Sequence, residues 1–275
     1  MKKHLCILLI LLTTIKVSAQ DHSKTPETKP LVIGETVTFH SSVLDENRTL
    51  NIYLPQNYVA DSTKTYPVIY LLDGALDEDF IHIAGIVQFG SFSWINMVPE
   101  SIVVGIANVD RKRDFTYPTT IEQDKKDFPT SGKSENFINF IEKDLQPFIK
   151  AHYRTEGTRT IIGQSLGGLL ATEIVYKKPE LFDNYIIVSP SLWWDNQSLL
   201  QLEPKAYHSE KQIYVAVGKE GEIMERDAKS LYQNLEANKK ENTKVYFQFL
   251  EAQDHGDALH LAVYGAFEVL FEKED

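Results

Sequence analysis

A serine flanked by two glycines is the part of this chain best suited to chemistry. The segment Gly163-Gln164-Ser165-Leu166-Gly167 has the Gly-x-Ser-x-Gly spacing that is typical of a sharp turn between a strand and a helix. Such a turn exposes the serine Oγ for attack on a carbonyl carbon, and the glycines let neighbouring backbone approach closely. The turn also aims the backbone N–H of Leu166 at a developing oxyanion. Ser165 is therefore predicted to be a nucleophile.

The residues on either side of Ser165 fit this interpretation. Residues 158–162 are mostly β-branched and apolar, which predicts a buried parallel strand. Residues 166–176 carry apolar side chains three and four positions apart, which predicts a helix. The alternative is an ordinary glycine-rich loop between a strand and a helix.

A serine nucleophile needs a base, and His255 is the histidine best placed to be one. It follows the strand-like run 245–250 and a short loop, and Gly256 comes directly after it. A histidine on a loop after the last strand can take the proton of the serine. His260 is predicted to lie inside the closing helix, where it packs or supports the site. The remaining histidines have no catalytic signature: His4, His22, His40, His82, His152 and His208.

The third member of such a site is a carboxylate that lies between the serine and the histidine in chain order. The strand-like run 212–217 is followed by Gly218-Lys219-Glu220-Gly221-Glu222. A glutamate at the carboxyl end of that strand can accept the imidazole Nδ1–H and stabilise the imidazolium. Glu220 is favoured because glycines on both sides suit a tight loop, with Glu222 as the reserve. The alternative is that both glutamates are solvated loop charges.

A second oxyanion donor is expected on the loop after another strand. The apolar run 66–72 ends in the turn pair Asp73-Gly74, so the backbone N–H of Ala75 is the candidate. Acidic residues and His82 follow in the sequence, but they match none of the spacings typical of calcium or zinc ligands. A solvated loop and the start of a helix are expected there, and no metal site is predicted.

The first 20 residues have the composition of a secretory signal peptide. A basic start and a leucine- and isoleucine-rich run precede small residues, and the apolar run is too short for a membrane span. Residues 21–30 are polar with prolines and are predicted to be a flexible leader, so residues 31–275 form the predicted domain. The protein is expected to be periplasmic or secreted, without stable membrane insertion after cleavage.

The mature chain would contain no cysteine and would be strongly acidic. Cys6, the single cysteine, lies in the signal segment, which excludes disulfides and thiolate chemistry. After removal of Lys2, Lys3 and Lys16, 25 basic residues stand against 39 acidic ones, a formal net charge of −14. Nucleic acid and anionic membrane surfaces are therefore poor partners.

Strand-like and helix-like segments alternate along the chain, as in an α/β protein. Two early strands flank the turn-forming cluster 45–48, which predicts an antiparallel entry hairpin. The later alternation predicts a mostly parallel sheet with helices on both faces. Strands are predicted at 37–42, 49–54, 68–72, 102–106, 160–162, 185–188, 213–217 and 245–250, and helices at 134–152, 166–177, 223–237 and 257–272, with a kink at Pro147.

Three further segments accompany the serine motif: Leu71-Leu72-Asp73-Gly74, the run 108–114 with Asn108 and Arg111, and Ser189-Pro190-Ser191-Leu192-Trp193-Trp194-Asp195. With them, residues 32–273 resemble the α/β-hydrolase esterase family that includes enterobactin-type siderophore esterases, feruloyl and acetylxylan esterases, S-formylglutathione hydrolases and mycolyltransferases. The likeness is greatest to the siderophore-esterase branch. The resemblance implies an α/β-hydrolase fold with Ser165 as nucleophile, His255 as base and Glu220 as acid.

Aromatic and basic residues near the predicted site are candidates for substrate binding. Trp193 and Trp194 follow a strand on the same rim as Ser165 and could form an aromatic wall, or could be core residues. Arg111 and Arg113 could hold a carboxylate or a catecholate, or could pair with Asp110 and Asp114.

The sequence thus predicts an exported serine carboxylester hydrolase that acts on a small-molecule ester without a cofactor. Siderophore-type, hydroxycinnamoyl and acetyl-sugar esters are the expected substrate classes. The alternatives are an acyltransferase with the same triad, and a carbohydrate- or siderophore-binding protein on a hydrolase scaffold that lacks turnover.

Overall fold

Eight strands form a single mixed sheet in the computed structural model, which describes residues 27–56, 58 and 63–271. The predicted signal peptide and the leader up to residue 26 lie outside the described residues. Residues 27–32 are assigned to a separate N-terminal unit and form neither helix nor strand. The strands are β1 (Gly34–Ser41), β2 (Glu46–Tyr53), β3 (Tyr66–Leu71), β4 (Ile102–Ile106), β5 (Thr155–Gln164), β6 (Asn184–Val188), β7 (Lys211–Gly218) and β8 (Thr243–Leu250).

The strand order is β1-β2-β4-β3-β5-β6-β7-β8. Strands β1 and β2 pair antiparallel, which confirms the predicted entry hairpin, and β2 also pairs antiparallel with β4. All pairings from β4 through β8 are parallel. Strands β4 and β6 are buried along their whole length, as expected for parallel strands covered on both faces.

Helices cover both faces of the sheet, which confirms the predicted α/β architecture. The α-helices are α1 (Phe80–Gly90), α2 (Arg111–Phe115), α3 (Glu122–Asp127), α4 (Ser134–Phe140), α5 (Gln146–His152), α6 (Leu166–Lys177), α7 (Glu222–Asn238) and α8 (Ala258–Leu270). One apolar core includes buried side chains from α4, α6 and α7, and the second includes those of α1 and α8. Among the described residues, no helix is both long enough and apolar enough to span a membrane.

The helix predicted over 134–152 contains an irregular turn in its middle. A π-helical turn, Ile141–Leu145, separates α4 from α5, and Pro147 lies at the start of α5. Proline lacks an N–H and its ring crowds the carbonyl of the preceding turn, so a wider turn before it relieves the clash. The predicted disturbance at Pro147 therefore takes the form of a π turn.

The parallel strands end at one common edge of the sheet. Strands β5, β6 and β7 are neighbours in register, so the residues that follow Gln164, Val188 and Gly218 emerge side by side. The loop after β8 joins the same edge. Loops at the carboxyl ends of parallel strands are the usual place for a site in an open α/β sheet.

Candidate active site

Ser165 is the single residue between β5 and α6, and it has a backbone conformation that few non-glycine residues adopt. Its backbone has φ 60° and ψ −121°. This geometry costs energy for a non-glycine residue and is often found at functional sites. A Cβ on Gly163 would lie 2.4 Å from the carbonyl oxygen of Gly167, so only glycine permits the turn to close this tightly.

Leu166 is the first residue of α6, directly after the serine. The first N–H groups of a helix have no acceptor within the helix, and the positive end of the helix dipole lies there. The N–H of Leu166 can therefore stabilise negative charge that develops beside Ser165.

His255 and Glu220 form a close pair at the carboxyl edge of the sheet. The Nδ1 atom of His255 lies 2.5 Å from Oε2 of Glu220. The glutamate side chain is 3% exposed and the histidine side chain 48% exposed, so the carboxylate is enclosed while the imidazole faces solvent. Glu222, the reserve candidate for the acid, is exposed in the first turn of α7.

The electrostatics of this pair favour its charged form. Burial alone would raise the pKa of Glu220, but hydrogen bonds from His255, Ser189 and the backbone N–H of Gly218 outweigh it and lower that pKa. The hydrogen bond with Glu220 raises the pKa of His255 above its ordinary value, against the opposing effect of burial. The carboxylate can therefore stabilise an imidazolium that forms when the histidine accepts a proton.

Ser165 and His255 line the same open cavity of about 610 Å³. The hydroxyl of Ser165 lies 3.3 Å from the hydroxyl of Ser191. The loop that carries His255 is tied to the turn because Nε2 of Gln164 donates to the carbonyl oxygen of His255 at 2.7 Å. The cavity is lined by Ser165, Ser191, Trp193, Lys219, Glu220, Met224, Asp254 and His255.

The backbone N–H of Ala75, predicted as the second oxyanion donor, is engaged by another group. It donates to the carboxylate of Glu78 at 3.1 Å, and the amide of Asn108 donates to the same carboxylate at 3.0 Å. The loop does lie beside the serine turn, since a Cβ on Gly167 would approach the carboxylate of Asp73 to 3.3 Å. Ala75 could donate to an oxyanion only after the Glu78 side chain moves away.

Arg111, predicted to bind substrate, is instead held by Asp73. Its Nε and Nη2 atoms donate to the two carboxylate oxygens at 2.6 and 2.8 Å, and Nη2 also reaches the carbonyl oxygen of Gln164 at 3.4 Å. A bidentate pair of this kind leaves the guanidinium committed. Arg111 therefore holds the loop that follows β3 against the turn that carries Ser165. Arg113 pairs with Glu46 and Asp114.

The two adjacent tryptophans have different environments. Trp193 is half-buried and lines the cavity, so its role as an aromatic wall for substrate stays a prediction. Trp194 is 0% exposed, and its indole N–H donates to the carbonyl oxygen of Tyr117 at 2.9 Å. The prediction that Trp194 contacts substrate is wrong, because its ring lies in the core and packs edge-on against Phe128 at 5.4 Å.

Sequence reasoning did not assign a role to Ser189 or Ser191, although both lie in the Ser-Pro-Ser stretch. Ser189 donates to the carboxylate of Glu220, and Ser191 is the hydroxyl partner of Ser165. A usable signal was present: polar residues directly after a buried strand lie at the carboxyl edge where the site forms. Within the described part of the chain, no cluster of three or more histidine, cysteine or acidic residues could hold a metal ion.

Comparison with known proteins gives the family. Residues 41–264 match the family described as "Putative esterase". This chain belongs to that esterase family. Ferri-bacillibactin esterase BesA of Bacillus subtilis (strain 168) is 28% identical over 272 residues, which cover 90% of this chain and 94% of the relative.

Solved structures agree with the family and the fold. An IroE-like serine hydrolase from Shewanella oneidensis has a TM-score of 0.79 and 28% identity, covering 86% of this chain and 80% of that chain. The BES protein from Bacillus cereus has a TM-score of 0.79 and 27% identity, covering 91% of this chain and 99% of that chain. The protein is a carboxylic ester hydrolase with the α/β-hydrolase fold.

Proposed function

We propose that this esterase is an exported serine hydrolase that cleaves siderophore-type esters through a Ser165-His255-Glu220 triad. The observation that carries the proposal is the shared cavity of Ser165 and His255, with Oε2 of Glu220 2.5 Å from Nδ1 of the histidine. Export is inferred from the composition of residues 1–20.

The proposed reaction proceeds through an acyl-enzyme. Ser165 Oγ attacks the ester carbonyl carbon while its proton passes to Nε2 of His255, and Glu220 stabilises the resulting imidazolium. The oxyanion accepts a hydrogen bond from the N–H of Leu166 and, once the Glu78 side chain has moved, another from the N–H of Ala75. The leaving alkoxide takes the proton from His255. A water molecule then attacks the acyl carbon while His255 takes its proton. The return of that proton to Ser165 Oγ releases the acid.

The substrate class is inferred from the relatives and from the cavity wall. BesA is named as a ferri-bacillibactin esterase, and one of the similar solved structures is named as an IroE-like serine hydrolase. Trp193 and Met224 give the cavity an aromatic and thioether surface on which a catechol ring can pack. Lys219 supplies a positive charge among the lining residues, whereas Arg111 and Arg113 are engaged by carboxylates.

The test is the Ser165→Ala variant, assayed with a catechol trilactone, feruloyl and acetyl-sugar esters, and p-nitrophenyl butyrate. We expect wild-type hydrolysis to be fastest on the trilactone, and the variant to lose at least about a thousandfold in kcat with an unchanged melting temperature. A fluorophosphonate probe should label the wild type and not the variant. Near-wild-type turnover by the variant would refute the triad, and preference for a sugar ester would refute the substrate class.

A further inference from the structure

The tripeptide Ser189-Pro190-Ser191 lies between the nucleophile and the acid. It directly follows β6, which sits between β5 and β7 in the sheet. Strand β5 leads to Ser165 and strand β7 leads to Glu220. A residue at the end of β6 can therefore contact both sides of the proposed triad.

Ser189 contacts the acid and holds an unfavourable backbone conformation. It is 0% exposed, with φ 44°, and its hydroxyl donates to Oε1 of Glu220, the oxygen not used by His255. The backbone N–H of Gly218 donates to the same oxygen at 3.0 Å. The N–H of Ser189 is itself held by the carbonyl oxygen of Ala216 at 2.7 Å. Glycine would adopt this φ without strain, so the serine side chain is retained at an energetic cost.

Ser191 contacts the nucleophile. It is buried, with its Oγ 3.3 Å from Oγ of Ser165, and its backbone N–H donates to the carbonyl oxygen of Ser165 at 3.0 Å. The N–H of Ser165 in turn donates to the carbonyl oxygen of Val188 at 3.1 Å. The turn that bears the nucleophile and the end of β6 are thus joined by hydrogen bonds in both directions.

The close packing of Pro190 keeps the two serines in place. A Cβ on Gly168 would lie 2.9 Å from the carbonyl oxygen of Val188 and 3.0 Å from Cα of Pro190. Helix α6 and the tripeptide therefore touch at a point where only glycine fits. Each serine hydroxyl is presented from a backbone that has little freedom to move.

We propose that the Ser189-Pro190-Ser191 tripeptide aligns the two halves of the catalytic machinery. Ser189 is a positioning residue that fixes the carboxylate of Glu220 toward His255. Ser191 contacts the nucleophile itself and restricts the orientation of its hydroxyl. The inference rests on the proposed triad and adds two residues to it.

The two hydroxyls contact different members of the proposed triad, so their expected effects differ. Without Ser189, the carboxylate of Glu220 loses one of its stabilising donors and becomes a stronger acceptor for the imidazolium. The coupled pair then takes up its proton at higher pH, so the acidic limb of the kcat/KM profile moves to higher pH. Loss of the Ser191 hydroxyl leaves the carboxylate contacts intact and should not move this limb.

The experiment compares Ser189→Ala, Ser189→Gly, Ser191→Ala and the control Ser101→Ala on p-nitrophenyl butyrate. Ser101 is also buried, but its hydroxyl donates to the carbonyl oxygen of Pro99, away from the cavity lining. We expect kcat to fall about tenfold in both Ser189 variants and about fivefold in Ser191→Ala, with KM little changed. Ser101→Ala should keep the wild-type kcat and pH profile.

Ser189→Gly keeps the experiment decisive if the alanine variant folds poorly. Glycine relieves the strain at φ 44°, so its melting temperature should equal or exceed that of the wild type while kcat still falls. Wild-type kcat and pH profile in Ser189→Gly would overturn the role of Ser189, and wild-type kcat in Ser191→Ala would overturn that of Ser191. If Ser165→Ala abolishes turnover in the same assay, such a result contradicts only this inference and leaves the triad standing.

Discussion

Two clusters of charged side chains in this protein differ in how far their members are exposed to solvent. Around Arg48, two arginines and two carboxylates are packed together, and the side chains of Arg48 and Asp114 are each 1% exposed. At the carboxyl edge of the sheet, Glu220 is equally enclosed, but its partner His255 has a side chain that is 48% exposed. The first cluster is closed on itself, whereas the second presents one member to a cavity that can admit a substrate.

The backbone differs between the two clusters as well. Arg48 lies in strand β2 and Asp114 in helix α2, both regular elements. Asp73, Ser165 and Ser189 each follow a parallel strand with φ between 44° and 60°. Positive φ also occurs away from this edge, at Asp45 beside the closed cluster, at Asn96 and at 195–197, so a strained turn does not by itself mark a site. What distinguishes the carboxyl edge is a buried carboxylate whose partner is exposed to a cavity.

The largest effect is expected when the enclosed carboxylate of the open cluster is neutralised. Glu220→Gln should lower kcat about a thousandfold or more, since an amide cannot stabilise the imidazolium and can favour the wrong tautomer of His255. Glu220 raises the pKa of His255, and the histidine must be neutral to accept a proton. Without the carboxylate that pKa falls, so the acidic limb of kcat/KM should move to lower pH, as measured by initial rates across the pH range.

Glu222→Gln is the matched control for this variant, because it removes the same charge two residues away on an exposed helix start. It should keep the wild-type rate and pH profile. A larger fall in kcat for Glu222→Gln than for Glu220→Gln would reassign the acid. An unmoved acidic limb in Glu220→Gln would mean that the pair does not control the protonation of His255.

The sequence alone predicted that Ser165, Glu220 and His255 lie close together, and there is a physical reason. Parallel strands end at one edge, so residues that follow successive buried strands must converge in space. The partner of Arg111 could not be read in the same way. Asp73 lies 38 positions earlier, and its choice over the neighbouring Asp110 and Asp114 depends on how the β3 loop packs against α2. Local spacing carries no information about such a pairing.

The fold was predictable where the apolar pattern of an element is clear, and not where an element is too short to show one. The apolar pattern predicts α6, whose residues 166–176 are all buried, at its observed bounds, and it predicts the entry hairpin to within a few residues. The short helices α2 and α3 have five and six residues and show no full apolar period, so no pattern predicts them. They are held by tertiary contacts: Arg113 of α2 pairs with Glu46 of β2, and Asp124 of α3 accepts from the backbone N–H of Asp195 at 3.2 Å.

A smaller but substantial effect is expected when the closed cluster is broken. The guanidinium of Arg48 contacts Asp114 at 2.6 Å and lies over the ring of Phe137 at 5.1 Å. Arg48→Met should lower the free energy of unfolding by about 3 kcal/mol, because the buried Asp114 keeps only Arg113 as its ionic partner. Urea unfolding at pH 7 measures this.

The exposed pair of Lys125 and Glu122 supplies the control for the closed cluster, with side chains 49% and 86% exposed. Lys125→Ala should change the free energy of unfolding by less than about 1 kcal/mol. If Arg48→Met were as stable as Lys125→Ala, the closed cluster would contribute specificity rather than stability, and it would not differ in energetic role from an exposed ion pair.

The smallest effect on catalysis is expected at Trp193, one of two adjacent tryptophans that the sequence could not tell apart. Trp193→Ala removes a cavity wall and should raise KM for aromatic esters about tenfold, with less effect on acetate esters, because a stacked ring contributes on the order of 1 kcal/mol. Trp194→Ala should instead lower the free energy of unfolding by about 3 to 5 kcal/mol, since its ring is fully buried. Steady-state kinetics and urea unfolding on both variants separate the roles. An equal rise in KM for aromatic and acetate esters in Trp193→Ala would show that this ring shapes the cavity without contacting the substrate.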